Sequence, residues 1–308
     1  MKDHIDDCRE IPGYDWAVEI SCAPFSTLTD QAFREIGAEL VDYQLVLIKN
    51  QKGMDPRDFR RMCHVIGDTE GYNYGDGSTI DDDTISPDGR TRRQLYLDYV
   101  VRDDDGNPVP GVMRVTGMLK KDGGPSGIFG HDKALDWHCN KPSSAGRHSF
   151  ISLLGVTGTA GSRTTWLDMS QAYEDLPEGK REYYKTLRTV CGFKSGGYSD
   201  HSAFVDHISY DTAKPLVKEK FGKTGLFFPP YQTLDFILPD GTSVDNFKEE
   251  QSYLEKHVLN EKYMYHLDFE DGAMTITDQD ITIHKRWDFT GMKNRLCWRA
   301  AHGIENII

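Results

Sequence analysis

Two histidines, one asparagine and two arginines carry the chemistry of this sequence. His138 and Asn140 stand two residues apart, His284 follows far downstream, and Arg295 and Arg299 come eleven and fifteen residues after it. Neutral imidazoles are common ligands of divalent metals, and a planar guanidinium pairs bidentately with a carboxylate. A single strand histidine is more often a structural hydrogen-bonding group, so the prediction depends on the whole set. Together these residue types predict a metal site beside an anion site.

Five motifs surround these residues and resemble one known family, the taurine dioxygenase-like (TauD/TfdA) family of Fe(II)/2-oxoglutarate-dependent oxygenases. The family patterns W-H-x-D, G-x-x-T-x-W, A-Y-E-x-L, D-N-x-x-T-x-H and R-x-x-x-R are similar, in that order, to Trp137–Asn140, Gly161–Trp166, Ala172–Leu176, Asp278–His284 and Arg295–Arg299. Weaker similarity runs from about Val18 to His302. The resemblance implies a mainly β fold with α decoration, a double-stranded β-helix (jelly-roll) core and an N-terminal α/β lobe. The cofactors it implies are Fe(II), 2-oxoglutarate as co-substrate, and O2.

The resemblance also implies roles for single residues. His138 and His284 would be iron ligands, with Asn140 in the position of the third ligand. Arg295 would hold the distal carboxylate of 2-oxoglutarate, helped by the hydroxyl of Thr164, and no catalytic residue separate from the metal site is expected. Arg299 would point toward the substrate, and Tyr72 and Tyr74 stand where this family usually contacts its substrate.

Asn140 departs from the family, which has aspartate there, and its neutral carbonyl offsets none of the metal charge. Asn140 could ligate weakly or through water while two histidines and 2-oxoglutarate hold the iron. Chloride could take the open position, as in halogenating relatives, although those have Ala or Gly there. Asp136, two residues before His138, would share its face on an extended strand and could substitute. A silent family member is the fourth interpretation.

The elements that must position these residues begin with a helix, a strand and a second helix. Thr29 caps a helix with apolar residues at 33, 36 and 40, residues 45–48 form a buried strand, and Asp55-Pro56 starts a helix that ends at Gly67. Two more helices are expected near Met169–Leu176 and Lys248–Val258. Beyond residue 70 the chain alternates short β-rich runs with turns, which predicts an all-β core. The runs are Gln94–Val101, Val112–Met118, Ser149–Val156, Gly225–Phe228, Ala273–Thr277 and Leu296–Ala301.

Composition limits the partners. The net charge of −13 and pI near 5.3 give no basic field for nucleic acid, and no stretch reaches the roughly 18 apolar residues of a membrane span. The six cysteines lack C-x-x-C pairing, so neither a zinc ribbon nor a disulfide scaffold is expected. We therefore expect one cytoplasmic 2-oxoglutarate oxygenase-like domain over residues 1–308 that acts on a small molecule, with no membrane or nucleic-acid partner. Homo-oligomerisation stays open.

The predicted activity is hydroxylation of an unactivated C–H bond in a small anionic metabolite, such as an amino acid or its derivative. Halogenation or another non-hydroxylating oxidation is the alternative outcome. A catalytically silent binding protein would keep the fold and lose the iron. A cupin-like metalloenzyme would share the jelly roll and would not need Arg295.

Overall fold

The structure is a computed structural model that describes residues 5–69, 97–121, 123–124, 126–128, 132–140, 149–192, 213–292 and 294–308. The α-helices bounded within these ranges are α1 (Asp30–Asp42), α2 (Pro56–Ile66), α3 (Met169–Glu174), α4 (Glu178–Lys185) and α5 (Phe247–Val258). The strands are β1 (Ile5–Ile11), β2 (Tyr14–Cys22), β3 (Leu45–Ile48), β4 (Val100–Arg102), β5 (Pro108–Thr116), β6 (Leu135–His138), β7 (Phe150–Thr157), β8 (Arg163–Asp168), β9 (Arg188–Cys191), β10 (Lys214–Pro215), β11 (Val217–Lys220), β12 (Lys223–Leu226), β13 (Thr233–Ile237), β14 (Met264–Asp268), β15 (Met274–Asp278), β16 (Thr282–Arg286) and β17 (Leu296–His302).

The largest sheet joins the N-terminal strands to the C-terminal ones. Its order is β1-β2-β3-β15-β7-β17-β5-β4, with β2 and β3 parallel and the other neighbours antiparallel. Successive side chains of a β-strand point to opposite faces of the sheet. Ile276 and Trp298 lie on the face that packs against α1 and α2, in a core that also contains Phe33 and Phe59. Thr275 and Thr277, which flank Ile276 on β15, face a cavity on the other side of the sheet.

A second sheet of four strands, β14-β8-β16-β6, closes that cavity. Its outer face contributes Trp137, Leu167 and Ile283 to a separate core with α3 and α5. Its inner face contributes side chains of β6, β8 and β16 to the cavity, opposite β5, β7, β15 and β17 of the large sheet. The double-stranded β-helix predicted from sequence is confirmed, with a mainly β fold and this cavity between its two sheets.

Several predicted elements are confirmed with small changes of boundary. Thr29 caps α1 by accepting a hydrogen bond from the Ala32 N–H (3.3 Å), Asp55 caps α2, and Gly67 follows the last residue of α2. The strand predicted over 94–101 differs, because residues 97–99 are helical and β4 begins only at Val100; residues 94–96 lie outside the described ranges. Strands β1 and β2 were not predicted.

None of the helices in the described ranges is both long enough and apolar enough to cross a membrane.

Gly67 offers a test of how α2 is held against the end of β17. A Cβ at Gly67 would lie 2.2 Å from the carbonyl carbon of Gly303, whereas a Cβ at Gly179, near the start of α4, would meet nothing within 4 Å. We expect Gly67→Ala to lower the free energy of unfolding by about 1–3 kcal/mol through overpacking. The matched Gly179→Ala should leave it unchanged or raise it by up to about 1 kcal/mol. Urea unfolding followed by circular dichroism measures both; equal stabilities would contradict the close contact.

Candidate active site

His138 and His284 face each other across neighbouring strands. His138 ends β6, His284 lies in the middle of β16, and the two are register partners. Their ring centroids are 4.2 Å apart with the planes at 51°. The Nδ1 of His138 lies 2.6 Å from the backbone oxygen of Asp136, and since a carbonyl oxygen can only accept, Nδ1 carries the proton. The Nε2 of His138 therefore keeps its lone pair, which is the tautomer a metal ligand needs.

Both imidazoles are neutral at physiological pH. Burial lowers the pKa of His138 to about 4, since the charged form loses its hydration. Burial likewise holds the pKa of His284 well below its ordinary value, and the adjacent His138 lowers it further. Each histidine can therefore offer a nitrogen lone pair without first losing a proton.

Three arginines line the same cavity. Arg286 lies two residues after His284 on β16, Arg299 lies on β17, and Arg295 directly precedes β17. Arg295 is only 1% exposed. Its guanidinium carbon lies 4.5 Å from the ring centroid of Phe289, and that of Arg286 lies 4.8 Å from the same ring. The aromatic face thus supports two cations at once.

Neither Asp nor Glu is among the described residues that line the cavity. Arg286 donates to the backbone oxygen of Lys133 (2.7 Å). Arg295 Nε and Nη1 and Arg299 Nε are buried and have no hydrogen-bond partner among the described residues. Burial alone lowers the pKa of Arg299 to about 10. Because an unpaired buried charge is costly, this arrangement is suited to an anionic ligand.

Asn140 lies beside the histidines, where its backbone N–H and its side-chain Nδ2 both approach Gln279 Oε1, at 2.9 Å and 3.3 Å. The same Nδ2 is 3.3 Å from Nε2 of His284. Thr164, on β8, is buried and lines the cavity together with its neighbour on the same face, Trp166. The structure thus brings together the predicted site residues His138, Asn140, Thr164, His284, Arg295 and Arg299.

Asp136 does not join them, and the structure corrects the expectation that it shares the face of His138. His138 pairs with His284, but Leu135 pairs with Arg286, so β6 has one residue more than β16 between these pairs. This β-bulge breaks the alternation. The carboxylate of Asp136 is instead exposed and bonds Lys285 Nζ at 3.2 Å. The two other predicted substrate contacts, Tyr72 and Tyr74, lie outside the described residues.

Sequence reasoning missed Arg286 and Gln279, which line the cavity, and Phe289, which packs against two of its arginines. Arg286 could have been found, because residue i+2 of a strand shares the face of His284. Phe289 and Gln279 carry no such signal. Gln279 occupies the second position of a D-N-like motif, but its contact with Asn140 joins residues 139 apart in sequence.

The donor set fits a divalent metal and a carboxylate ligand. Within the described ranges no group of three His, Cys, Asp or Glu residues is arranged to hold a metal. The protein groups at this position are the two imidazoles, with the amide of Asn140 beside them. Unpartnered buried donors of Arg295, Arg299 and Thr275 are part of the cavity lining, where a ligand with several acceptor oxygens would satisfy them.

Comparisons with known proteins match most of the chain. The family model described as "Taurine catabolism dioxygenase TauD, TfdA family" matches residues 8–301. Pentalenolactone F synthase of Streptomyces avermitilis is 21% identical over 313 residues, covering 94% of this chain and 92% of that protein.

Two solved structures share the fold. A taurine dioxygenase from Burkholderia xenovorans superposes with a TM-score of 0.66 at 16% identity, covering 97% of this chain and 89% of the other. The structure of AAD-2 in complex with Mn(II) and N-oxalylglycine gives a TM-score of 0.69 at 15% identity, covering 96% and 97%.

The buried neutral histidines predict how stability depends on pH. An unfolded histidine titrates near 6.5, whereas folded His138 titrates near 4, so protonation favours the unfolded chain. The stability from His138 is fully present above about pH 6.5 and is lost as pH falls toward 4, in total roughly 3 kcal/mol, with a further loss from His284. Urea unfolding of metal-free protein between pH 7 and 4 measures this loss.

The His138→Gln/His284→Gln variant is the comparison, because the carboxylates of the chain also titrate in this range and would lower the stability of both proteins. Its stability should fall less between pH 7 and 4 than that of the unaltered chain. Parallel pH profiles for the two proteins would contradict the neutral, buried state of the histidines.

Proposed function

The chain belongs to the TauD/TfdA family of Fe(II)/2-oxoglutarate-dependent dioxygenases, and from that premise we propose that it hydroxylates an unactivated C–H bond of a small anionic metabolite, such as an amino acid or an amino-acid derivative. One observation carries the proposal. Three buried guanidinium groups and two neutral imidazoles share a cavity whose described lining contains no Asp or Glu. Such a cavity favours ligands that bring negative charge with them.

The iron would be held by Nε2 of His138 and of His284, with Asn140 beside the third protein position. When bound, Fe(II) together with 2-oxoglutarate and O2 supplies the oxidation, and succinate and CO2 are the by-products. The chain contributes the orientation of the ligands. The backbone oxygen of Asp136 fixes the ring of His138, and the pairing of β6 with β16 fixes the distance between the two rings.

Arg295 would hold the distal carboxylate of 2-oxoglutarate. It is the most deeply buried of the three arginines, and two of its donor nitrogens lack partners in the described part of the chain. A guanidinium presents two parallel N–H groups that match a carboxylate. The hydroxyl of Thr164, buried in the same lining, would add a further donor.

Arg299 would pair with the anionic group of the substrate. It lies on β17 four residues beyond Arg295, and both residues line the cavity. The apolar part of the wall is formed by Val115, Leu135, Ile151, Leu153 and Trp166. These side chains would exclude water around the reacting C–H bond.

The setting we propose is the cytoplasm, with a small molecule rather than nucleic acid as substrate. All six cysteines are free thiols and five of them are buried, which suits a reducing compartment. The net charge of −13 is unfavourable for binding phosphate backbones. We also propose that residues 1–308 act as one domain, because the core around α1 and α2 combines residues from Ile5 to Ile304.

The first test of the function is formation of the iron chelate. Anaerobic addition of Fe(II) and then 2-oxoglutarate should give the visible charge-transfer band of the keto acid on iron, and admission of O2 should yield succinate. Asn140→Asp serves as the matched comparison, because it restores a carboxylate at the third position. A band in neither protein would reject the oxygenase function and favour a silent binding protein.

The second test concerns the proposed carboxylate clamp. Arg295→Lys keeps the charge but loses the two-pronged geometry, so we expect 2-oxoglutarate to bind about 10- to 100-fold more weakly to the Mn(II)-loaded protein in calorimetry. Arg163→Lys is the control, because Arg163 pairs with Asp268 on the surface, away from the cavity. Unchanged affinity in Arg295→Lys would favour a metalloenzyme that does not use 2-oxoglutarate.

A further inference from the structure

Gln279 ties Asn140 to the segment between β15 and β16. Its side chain is 4% exposed and lines the cavity. Its own backbone N–H donates to the oxygen of Ser149 (2.8 Å). On either side, Asp278 and Asp280 are held by Lys220, whose Nζ lies 3.0 Å from an oxygen of each carboxylate. The position of Gln279 is therefore set by its neighbours, independently of Asn140.

The contacts of Gln279 determine which end of the Asn140 amide faces His284. The backbone N–H of Asn140 can only donate, so the Gln279 atom 2.9 Å away must be its oxygen. The Asn140 side-chain atom 3.3 Å from that oxygen must then be the nitrogen, Nδ2. This Nδ2 also lies 3.3 Å from Nε2 of His284. The amide thus presents an N–H donor, and not its carbonyl oxygen, beside the nitrogen that would bind the metal.

From this geometry we propose that Gln279 is a positioning residue that keeps Asn140 from ligating the metal, and that Asn140 instead donates a hydrogen bond to a small anion bound at the third coordination position. The inference rests on the proposed function, because it assumes that His138 and His284 hold a metal. An amide nitrogen has no lone pair to give a metal, but it is a good donor to an acceptor ligand.

A second donor supports this assignment. Gln279 Nε2 is buried, belongs to the side chain that lines the cavity, and has no partner among the described residues. A ligand beside Asn140 could therefore accept hydrogen bonds from two amides. The ligand is an anion because the metal would otherwise lack the negative charge that an aspartate supplies, and because the described lining contains no acid to replace it.

The length of the Gln279 side chain is the specific feature. Asparagine at this position would be one methylene shorter and would withdraw the amide from Asn140 by about 1.5 Å. The Asn140 amide would then be free to turn its oxygen toward the metal. Gln279→Asn is therefore a conservative change that removes the contact with the Asn140 amide while keeping an amide at position 279.

The test measures metal affinity in the full chain with 2-oxoglutarate present, by Co(II) titration followed in the visible spectrum. We expect Asn140→Ala to change the dissociation constant by less than about threefold, because the amide does not ligate. We expect Gln279→Asn to tighten Co(II) binding, and the effect to vanish in Gln279→Asn/Asn140→Ala. A larger loss in Asn140→Ala would overturn the proposal, and so would unchanged affinity in Gln279→Asn.

Azide tests the anion. Added to the Co(II) protein, it should shift the visible spectrum, and it should bind about tenfold more weakly to Asn140→Ala, which lacks the donor. Equal azide affinity in the two proteins, or no azide response in the unaltered chain, would overturn the anion site. Failure of the unaltered chain to bind Co(II) at all would instead reject the proposed function. Thermal unfolding of each variant shows whether it is folded.

Discussion

The concentration of positive charge between the two sheets is the constraint on which the site depends. Arg286, Arg295 and Arg299 are buried around one cavity whose described lining contains no Asp or Glu, and buried donors of Arg295 and Arg299 have no hydrogen-bond partner among the described residues. A charge removed from water without a partner is costly, and nearby cations add their repulsion. One consequence is visible in the histidines: burial is the main reason that their pKa values are low, and for His138 the charges of Arg286 and Arg299 act in the same direction. Anionic ligands would therefore balance the buried positive charge of this cavity.

The two sheets determine which side chains face the cavity. Alternation along β15 and β17 sends apolar side chains to the helices and polar ones to the cavity, so Trp298 packs against Phe59 while its neighbour Arg299 lines the site. The four-stranded sheet does the same on the opposite wall, with Ile283 outward and His284 inward. Because His284 and Arg299 each follow a core residue on their strand, they cannot shift without disturbing the packing of both layers.

The sequence predicts these placements well where one strand or one motif decides them. The pair His138 and His284 and the arginines after it follow from matched motifs, and the caps at Thr29 and Asp55 follow from local chemistry. Asp136 was misplaced because a bulge, which depends on the pairing of β6 with β16, changed the face. The role of Gln279 was not visible because only the folded chain brings it to Asn140. Predictions from periodicity thus fail where the register between strands, rather than the pattern along one strand, sets the direction of a side chain.

The effect of having an amide instead of a carboxylate at position 140 depends on the other charges in the cavity. With aspartate at position 140, the charges of Fe(II), 2-oxoglutarate and the aspartate would sum to −1, and this negative charge would lie beside the three arginines. With Asn140, the two charges of the metal and the two of 2-oxoglutarate would cancel. The buried donors of Arg295 and Arg299 that lack a partner among the described residues would remain beside them. The missing negative charge must then come from molecules that enter the cavity. A site of this kind selects for anions twice, once beside the metal through the amide donors of Asn140 and Gln279, and once on the substrate side through Arg299.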